Sequence, residues 1–521
     1  MSAAQTLSGR SAGVLLHMTS LPGVVGGDCG PAARAWVDAL AEAGVRWWQM
    51  LPTHPIGAGY SPYASPSAFA WSSLVISGED LLAEGLLTAG QWRALSGRMA
   101  SATQRGGWWV DYGRLLPVRR EMLRLAYAAF GEGRGELHRA FERYRRGQAG
   151  WLDVWSVFAA LRELHGERAW TTWRGRGGGA GGGDGYALAG SPAVREFAER
   201  EAELVRYQAF VQFLADRQWA RLREYAAVRG VGLIGDLPIF VSHDSADVWG
   251  HRELFRLDRS GRPVVVTGVP PDLFSRTGQR WGHPHYDWRR HEATGFAWWA
   301  SRFARLLSAF DVVRIDHFLG FYRTWAIPGA ARTAVRGRWV LTPGQAIFDA
   351  AEKRVALRGR VIAEDLGIPT KGAEALRRHM GFPGMKVLQF GFGGGTEHRP
   401  LAYERNTVAY TGTHDNDTSA GYLASIRRNS PREWAAAQAL GVTGGDAVWR
   451  MIASVADSAA ETVVVPAQDL LGLDGRHRMN LPGTVEGNWR WRLARPVPGG
   501  VWKRLRDLLE VTVRVARAAE V

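Results

Sequence analysis

Eight short runs rich in β-branched or bulky apolar residues recur along the chain, at 13–16, 46–51, 231–235, 312–315, 361–363, 385–390, 408–411 and 462–465. Most end in a polar, Gly or Pro cluster, and most are followed by a stretch of helical periodicity. Their nearly unbroken apolarity suits parallel strands covered on both faces. Eight such units are what a (β/α)8 barrel requires. The pattern therefore predicts an α/β protein on a TIM-barrel frame, with residues 1–521 as one elaborated catalytic-type domain.

The spacing of about thirty residues per βα unit breaks twice. Residues 52–230 separate the second and third runs, and segments such as 119–144 and 193–229 carry apolar residues at helical spacing between charged ones. A large, mainly helical insertion is expected there, over 72–229. The tract 174–185 is nearly all glycine and reads as a flexible surface connection. A second interruption, 243–299, is rich in Pro, Gly and aromatic residues, so loops are expected to stand over the C-terminal ends of the strands. That is the face on which barrels carry their active sites.

Composition narrows the classes. Hydrophobic residues make up 46% and charged residues 22%, enough to bury a large core. The net charge of +15 raises nucleic acid as a partner, but the arginines are spread along the whole chain, lysines are scarce and no nucleic-acid-binding motif is found. No nucleic-acid function is expected. Cys29 is the one cysteine, so neither a disulfide framework nor a cysteine metal site is available, and a cytoplasmic location fits. The apolar patch at 14–16 is too brief for a secretory signal, and no run approaches membrane-spanning length. The 24 tryptophans are a more telling excess. Most are expected to fill the core, with a few lining a groove for sugar rings, whose C–H faces and hydroxyls suit indole.

Four of the runs finish in a carboxylate: Asp236 in GDLPIF, Asp316 in VRIDHF, Glu364 in IAEDLG and Asp415 in TGTHDND. Each alone could cap a helix. Four converging on one face of a barrel point to chemistry, because a buried carboxylate is costly unless paired. Glycoside cleavage needs two carboxyl groups, a nucleophile and an acid/base, and Asp316 and Glu364 fit. Arg314 lies two residues before Asp316, on the same face of its strand, where it would keep that carboxylate ionised. Glu364 needs its proton affinity raised by burial or by Asp316 to act as the acid. His414 and Asp415 are placed to hold ring hydroxyls of a distorted sugar.

The stretches HMTSLPG (17–23), SPYASPSAFA (61–70), GDLPIFV (235–241), GVPPDLFSRTGQRWG (268–282), RIDHF (314–318), AEDLG (363–367), GMKVLQF (384–390), YTGTHDNDT (410–418) and RMNLPGT (478–484) resemble the signature blocks of amylomaltases, or disproportionating enzymes, of glycoside hydrolase family 77. The resemblance implies a 4-α-glucanotransferase that moves α-1,4-glucan segments by retaining double displacement. It implies Asp316 as nucleophile, Glu364 as acid/base and Asp415 as transition-state stabiliser. It adds Tyr63, Asp236, Arg314 and His414 as substrate or catalytic-shell residues, and a loop with Phe274 and Trp281 that overhangs the cleft. No cofactor or metal is implied, and the partners are maltooligosaccharides or longer glucans with glucose as an acceptor. A monomer or weak homodimer is expected.

Leu319, His283 and the glycines at 393–395 depart from the family pattern at positions that shape sugar contacts. His283, His285 and His291 invite a metal reading, but they lie in a Pro-rich loop without helical spacing. Two alternatives stay open: an amylase-like retaining hydrolase, and a glucan-binding protein without catalysis. A rise in reducing ends would mark the first; a strand-end carboxylate variant without effect would mark the second.

Overall fold

A computed structural model describes residues 4–131, 135–173, 185–271, 275–367 and 370–516. All eight apolar runs form strands: β1 (Ser11–Leu15), β2 (Trp47–Gln49), β3 (Gly232–Pro238), β4 (Val312–Asp316), β5 (Val361–Ala363), β6 (Gly384–Val387), β7 (Thr407–Tyr410) and β8 (Thr462–Pro466). They close into a barrel in chain order, each parallel to the next, and β8 returns to pair with β1. The strands are buried almost throughout, which is why they read as continuous apolar runs and not as alternating ones.

Helices Pro31–Glu42, Ala202–Val228, Ala297–Ala309, Gly344–Glu352, Lys371–Met380, Ala447–Asp457 and Gly499–Val511 belong to the outer layer. The unit after β6 departs from the repeat: residues 388–406 form only short 3-10 turns before β7. Residues 78–164 supply a run of helices that ends in the long Glu136–Leu164. Ala202–Val228 packs both on that helix and on β3, so it joins the insertion to the barrel. The tract 174–184 lies outside the described residues.

The segment 243–299 carries more regular structure than its Pro and Gly content suggests. Strands Val265–Val269 and Gln279–Pro284 pair with Arg323–Pro328 and Arg338–Leu341 in a four-stranded antiparallel sheet. The two edge strands, Gln279–Pro284 and Arg338–Leu341, are short and largely exposed, so neither a long apolar run nor clean alternation marks them in the sequence.

Half of the tryptophans are buried outright and the rest partly covered, fewer in the core than composition suggests. Fully burying a large apolar side chain contributes about 1.5–3 kcal/mol. Room for bulky aromatic rings is made by small residues on the barrel wall, as where Gly232 faces the Trp47 ring. A Cβ at Gly235 would lie 2.5 Å from the Phe310 ring. The seam between β1 and β8 is clamped from below by Arg514, which donates to the carbonyls of Ala456, Ser458, Ala460 and Glu461. Among the described residues, no helix is long and apolar enough to cross a membrane.

Candidate active site

Strand register brings the carboxylates together. Asp236 on β3 stands level with Arg314 on β4, and Pro238 with Asp316. On the other side of β4, Ala363 is level with Ile315, so Glu364 falls level with Asp316 one residue later. Adjacent parallel strands are about 4.8 Å apart, so two carboxyl-bearing residues meet at neighbouring strand ends.

Arg314 is the hub. Its Nη1 donates to both oxygens of Asp236, at 3.0 and 2.9 Å, and lies 3.0 Å from Asp316 Oδ1. Both Arg314 and Asp236 are buried, whereas Asp316 keeps 30% of its side chain exposed toward the cleft. Burying a guanidinium is costly unless it is paired. Here two carboxylates hold it charged, and they raise its pKa against the effect of burial. Burial likewise raises the Asp236 carboxyl, opposed by Arg314 and by the Tyr63 hydroxyl.

Tyr63 ties this cluster to β7. Its hydroxyl donates to Asp236 Oδ2 at 2.7 Å, and His414 Nε2 lies 2.9 Å from the Tyr63 hydroxyl oxygen. A phenol has one proton, so at His414 the tyrosine oxygen accepts and Nε2 carries the hydrogen. The two rings stack at 5.4 Å with 11° between planes. His414 Nε2 also lies 3.5 Å from Asp415 Oδ2. The Asp415 carboxylate accepts from Asn480 Nδ2 at 2.6 Å, and its backbone carbonyl from Arg478 Nη2 at 3.0 Å.

Glu364 is held differently. Both its oxygens accept backbone N–H groups, from His317 at 2.7 Å and Leu366 at 3.1 Å. His317 reaches it because the chain turns left-handed at the end of β4, at φ 55°. For a non-glycine residue that conformation costs about 1–2 kcal/mol. Burial, and after it the negative charge of Asp316, push the Glu364 carboxyl up to about 8, while Arg314 and the two N–H groups oppose the rise.

Trp281, on the strand Gln279–Pro284, meets the His317 ring edge to face at 4.8 Å, so the antiparallel sheet overhangs the residue next to Asp316. Phe274 lies outside the described residues. The three histidines of this region go to separate environments. His283 packs flat against Phe240, His285 bonds the Trp325 carbonyl, and His291 is buried among Tyr286 and Trp288. Burial lowers all three to about 4. Among the described residues no three His, Cys, Asp or Glu side chains group as a metal site.

The structure thus brings Tyr63, Asp236, Trp281, Arg314, Asp316, Glu364, His414 and Asp415 to one rim of the barrel. Asn480 is a site residue that sequence reasoning does not single out, although it lies in the block 478–484. An asparagine ahead of a Leu-Pro turn carries no strand-end signal, and only the folded loop delivers it to Asp415.

Comparison with known proteins shows the family. Residues 16–497 match the family model described as 4-alpha-glucanotransferase. The chain is 42% identical to the 4-alpha-glucanotransferase of Thermus thermophilus, over 97% of this chain and 99% of that one. It is 38% identical to the chloroplastic/amyloplastic 4-alpha-glucanotransferase of Arabidopsis thaliana, over 98% of this chain and 86% of that one. Among solved structures, an amylomaltase from Streptococcus agalactiae in complex with acarbose matches with a TM-score of 0.89 at 33% identity, covering 97% of this chain and 100% of that one.

Proposed function

The chain belongs to the 4-alpha-glucanotransferase family, glycoside hydrolase family 77, and from that membership we propose a retaining double displacement in which Asp316 and Glu364 are the two working carboxyl groups. The activity is transfer of α-1,4-glucan segments between chains. In the first step an Asp316 oxygen attacks the anomeric carbon, the bond to the leaving O4 breaks, and Glu364 gives that oxygen its proton. In the second, the 4-hydroxyl of an acceptor glucan or glucose attacks the same carbon, its proton passes to Glu364, and the Asp316 carboxylate departs.

The observation that carries this reading is the contrast between two carboxyl groups at adjacent strand ends. Asp316 is paired with Arg314 and partly exposed, as suits a nucleophile that must be ionised. Glu364 has its proton affinity raised, as suits an acid near neutrality. Asp415, held by Asn480 beside His414, is assigned to stabilise the positive charge that develops on the sugar. Tyr63, Asp236, Arg314 and His414 are assigned to position these groups and the substrate. Cys29, buried and 3.9 Å from Met18 Sδ, suits a reducing cytoplasm, where we place the enzyme.

The test is chromatography of products from maltotriose beside a reducing-end assay. Glucose and a ladder of longer maltooligosaccharides should form with constant reducing ends. Asp316→Asn should abolish the ladder while the circular dichroism spectrum stays native and glucan binding persists. A folded variant that still transfers at the wild-type rate would refute the assignment of the nucleophile.

A further inference from the structure

The carboxyl groups assigned to the reaction follow β3, β4, β5 and β7, whereas β8 leads to one that the mechanism leaves unused. Asp469, just past the end of β8, is buried at 1% exposure. Its Oδ2 accepts the Thr411 hydroxyl at 2.6 Å and the Ser419 hydroxyl at 2.7 Å. Its Oδ1 accepts the Ser419 N–H at 2.8 Å. Thr411 and Ser419, both buried, are the two feet of the loop that leaves β7 and carries His414 and Asp415. One carboxylate therefore closes that loop at its base.

The rest of the loop is braced at other points. Inside it, Asn416 Oδ1 accepts the Thr413 N–H and hydroxyl, each at 2.9 Å. From β6 the Gln389 amide donates to the Asp417 carbonyl at 2.9 Å. Arg478 and Asn480 hold Asp415 itself. These two and Asp469 all belong to the segment after β8, which Gln468 Nε2 ties to itself by donating to the His477 carbonyl at 3.3 Å. One stretch, 468–480, thus grips the loop both at its base and at Asp415.

For stability alone Asp469 is an expensive fastening. Its bonds come from two hydroxyls and an N–H, with no ion pair among the described residues. Burial raises its carboxyl pKa, opposed by the bonds from Ser419 and Thr411. A buried carboxylate without a cation is costly, and apolar packing would serve cohesion as well. Apolar packing lacks direction, whereas a satisfied polar network fixes one arrangement of the groups it joins. We infer that Asp469 is a positioning residue that sets the place of Asp415 at the reacting sugar through the base of the loop 411–419. The inference rests on the assignment of Asp415 as the group that stabilises charge on the sugar.

Asp469→Ala should lower kcat on maltotriose, per folded molecule, by about ten- to a hundredfold and leave KM within about twofold, as expected when a transition-state contact is displaced by ~1 Å. Asp469→Asn keeps an acceptor for the Ser419 N–H and offers its own N–H groups to hydroxyls that can turn, so it should recover most of that loss. Circular dichroism and Tm establish which variants are folded. If Asp469→Ala does not fold, Thr411→Val carries the test, since it removes one bond at nearly constant volume; its kcat should fall several-fold at unchanged KM. A wild-type kcat in the folded variant, a loss confined to KM, or an Asp469→Asn enzyme as slow as Asp469→Ala would each overturn the proposal. Asp415→Asn, made in parallel, separates the two assignments. If it is severely slowed while Asp469→Ala or Thr411→Val is not, only the role of Asp469 falls; if it turns over normally, both do.

Discussion

Glu364 shows how one residue can hold a reactive state that water would not allow. Two backbone N–H groups and Arg314 favour its carboxylate, yet burial first and Asp316 second win, and the group titrates at about 8 instead of 4.5. A folded pKa above the unfolded one means that folding takes up a proton between those values. The stability this contributes is full below 4.5 and is lost as pH rises through about 8. Glu364→Gln removes the titration, so its Tm should match the wild type at the acid end and exceed it by a few degrees above pH 8. Melting curves across that range check this, and equal Tm values throughout would contradict the assigned shift. The kcat/KM of the wild type should fall on the alkaline side as the acid form is lost. Asp236, Asp316 and Glu364 were legible because each closes an apolar run, and Asp415 because it follows one within a few residues. Asn480 and the His317 N–H were not, because a loop residue and a backbone group leave no mark on hydrophobic pattern.

At the scale of elements, the barrel strands were the easiest to read and the antiparallel sheet the hardest, for one reason. A strand buried on both faces is apolar at most positions, and the eight runs are. The strands Gln279–Pro284 and Arg338–Leu341 face solvent over much of their length, so burial imposes no pattern on them: the first is mostly turn and polar residues and the second is four residues long. The barrel wall also needs close approach. Gly235 stands one residue before Asp236, against the Phe310 ring, with 2.5 Å to the nearest ring atom for an added Cβ. Gly235→Ala should therefore destabilise the fold by about 1–3 kcal/mol through overpacking. The same strain should weaken transfer, since β3 carries Asp236 to Arg314. Denaturant unfolding and maltotriose turnover measure the two effects, and a neutral result in both would show that the wall can yield.

Over the whole molecule, the cleft is assembled from parts far apart in sequence: the barrel rim, the loop that brings Asn480, and the sheet that brings Trp281. Trp281, packed on His317, is the piece best placed to keep water from a sugar at the proposed nucleophile, Asp316. Trp281→Ala should raise the share of hydrolysis, read as reducing ends formed per transfer, with the fold intact. An unchanged ratio would move that role elsewhere on the sheet. The strongly basic composition also has an internal cause. Arg119, Arg302, Arg360, Arg492 and Arg514 are buried and donate to backbone carbonyls, so part of the excess cation is spent inside the fold and not displayed to a partner. Arg514 has a consequence for biosynthesis. Because it clamps the junction of the first and last strands, a nascent chain on the ribosome holds β1 with a bare edge until some five hundred residues have emerged. Closure thus waits for the last strand, and the long interval with an open parallel sheet is when the growing polypeptide is most exposed to aggregation.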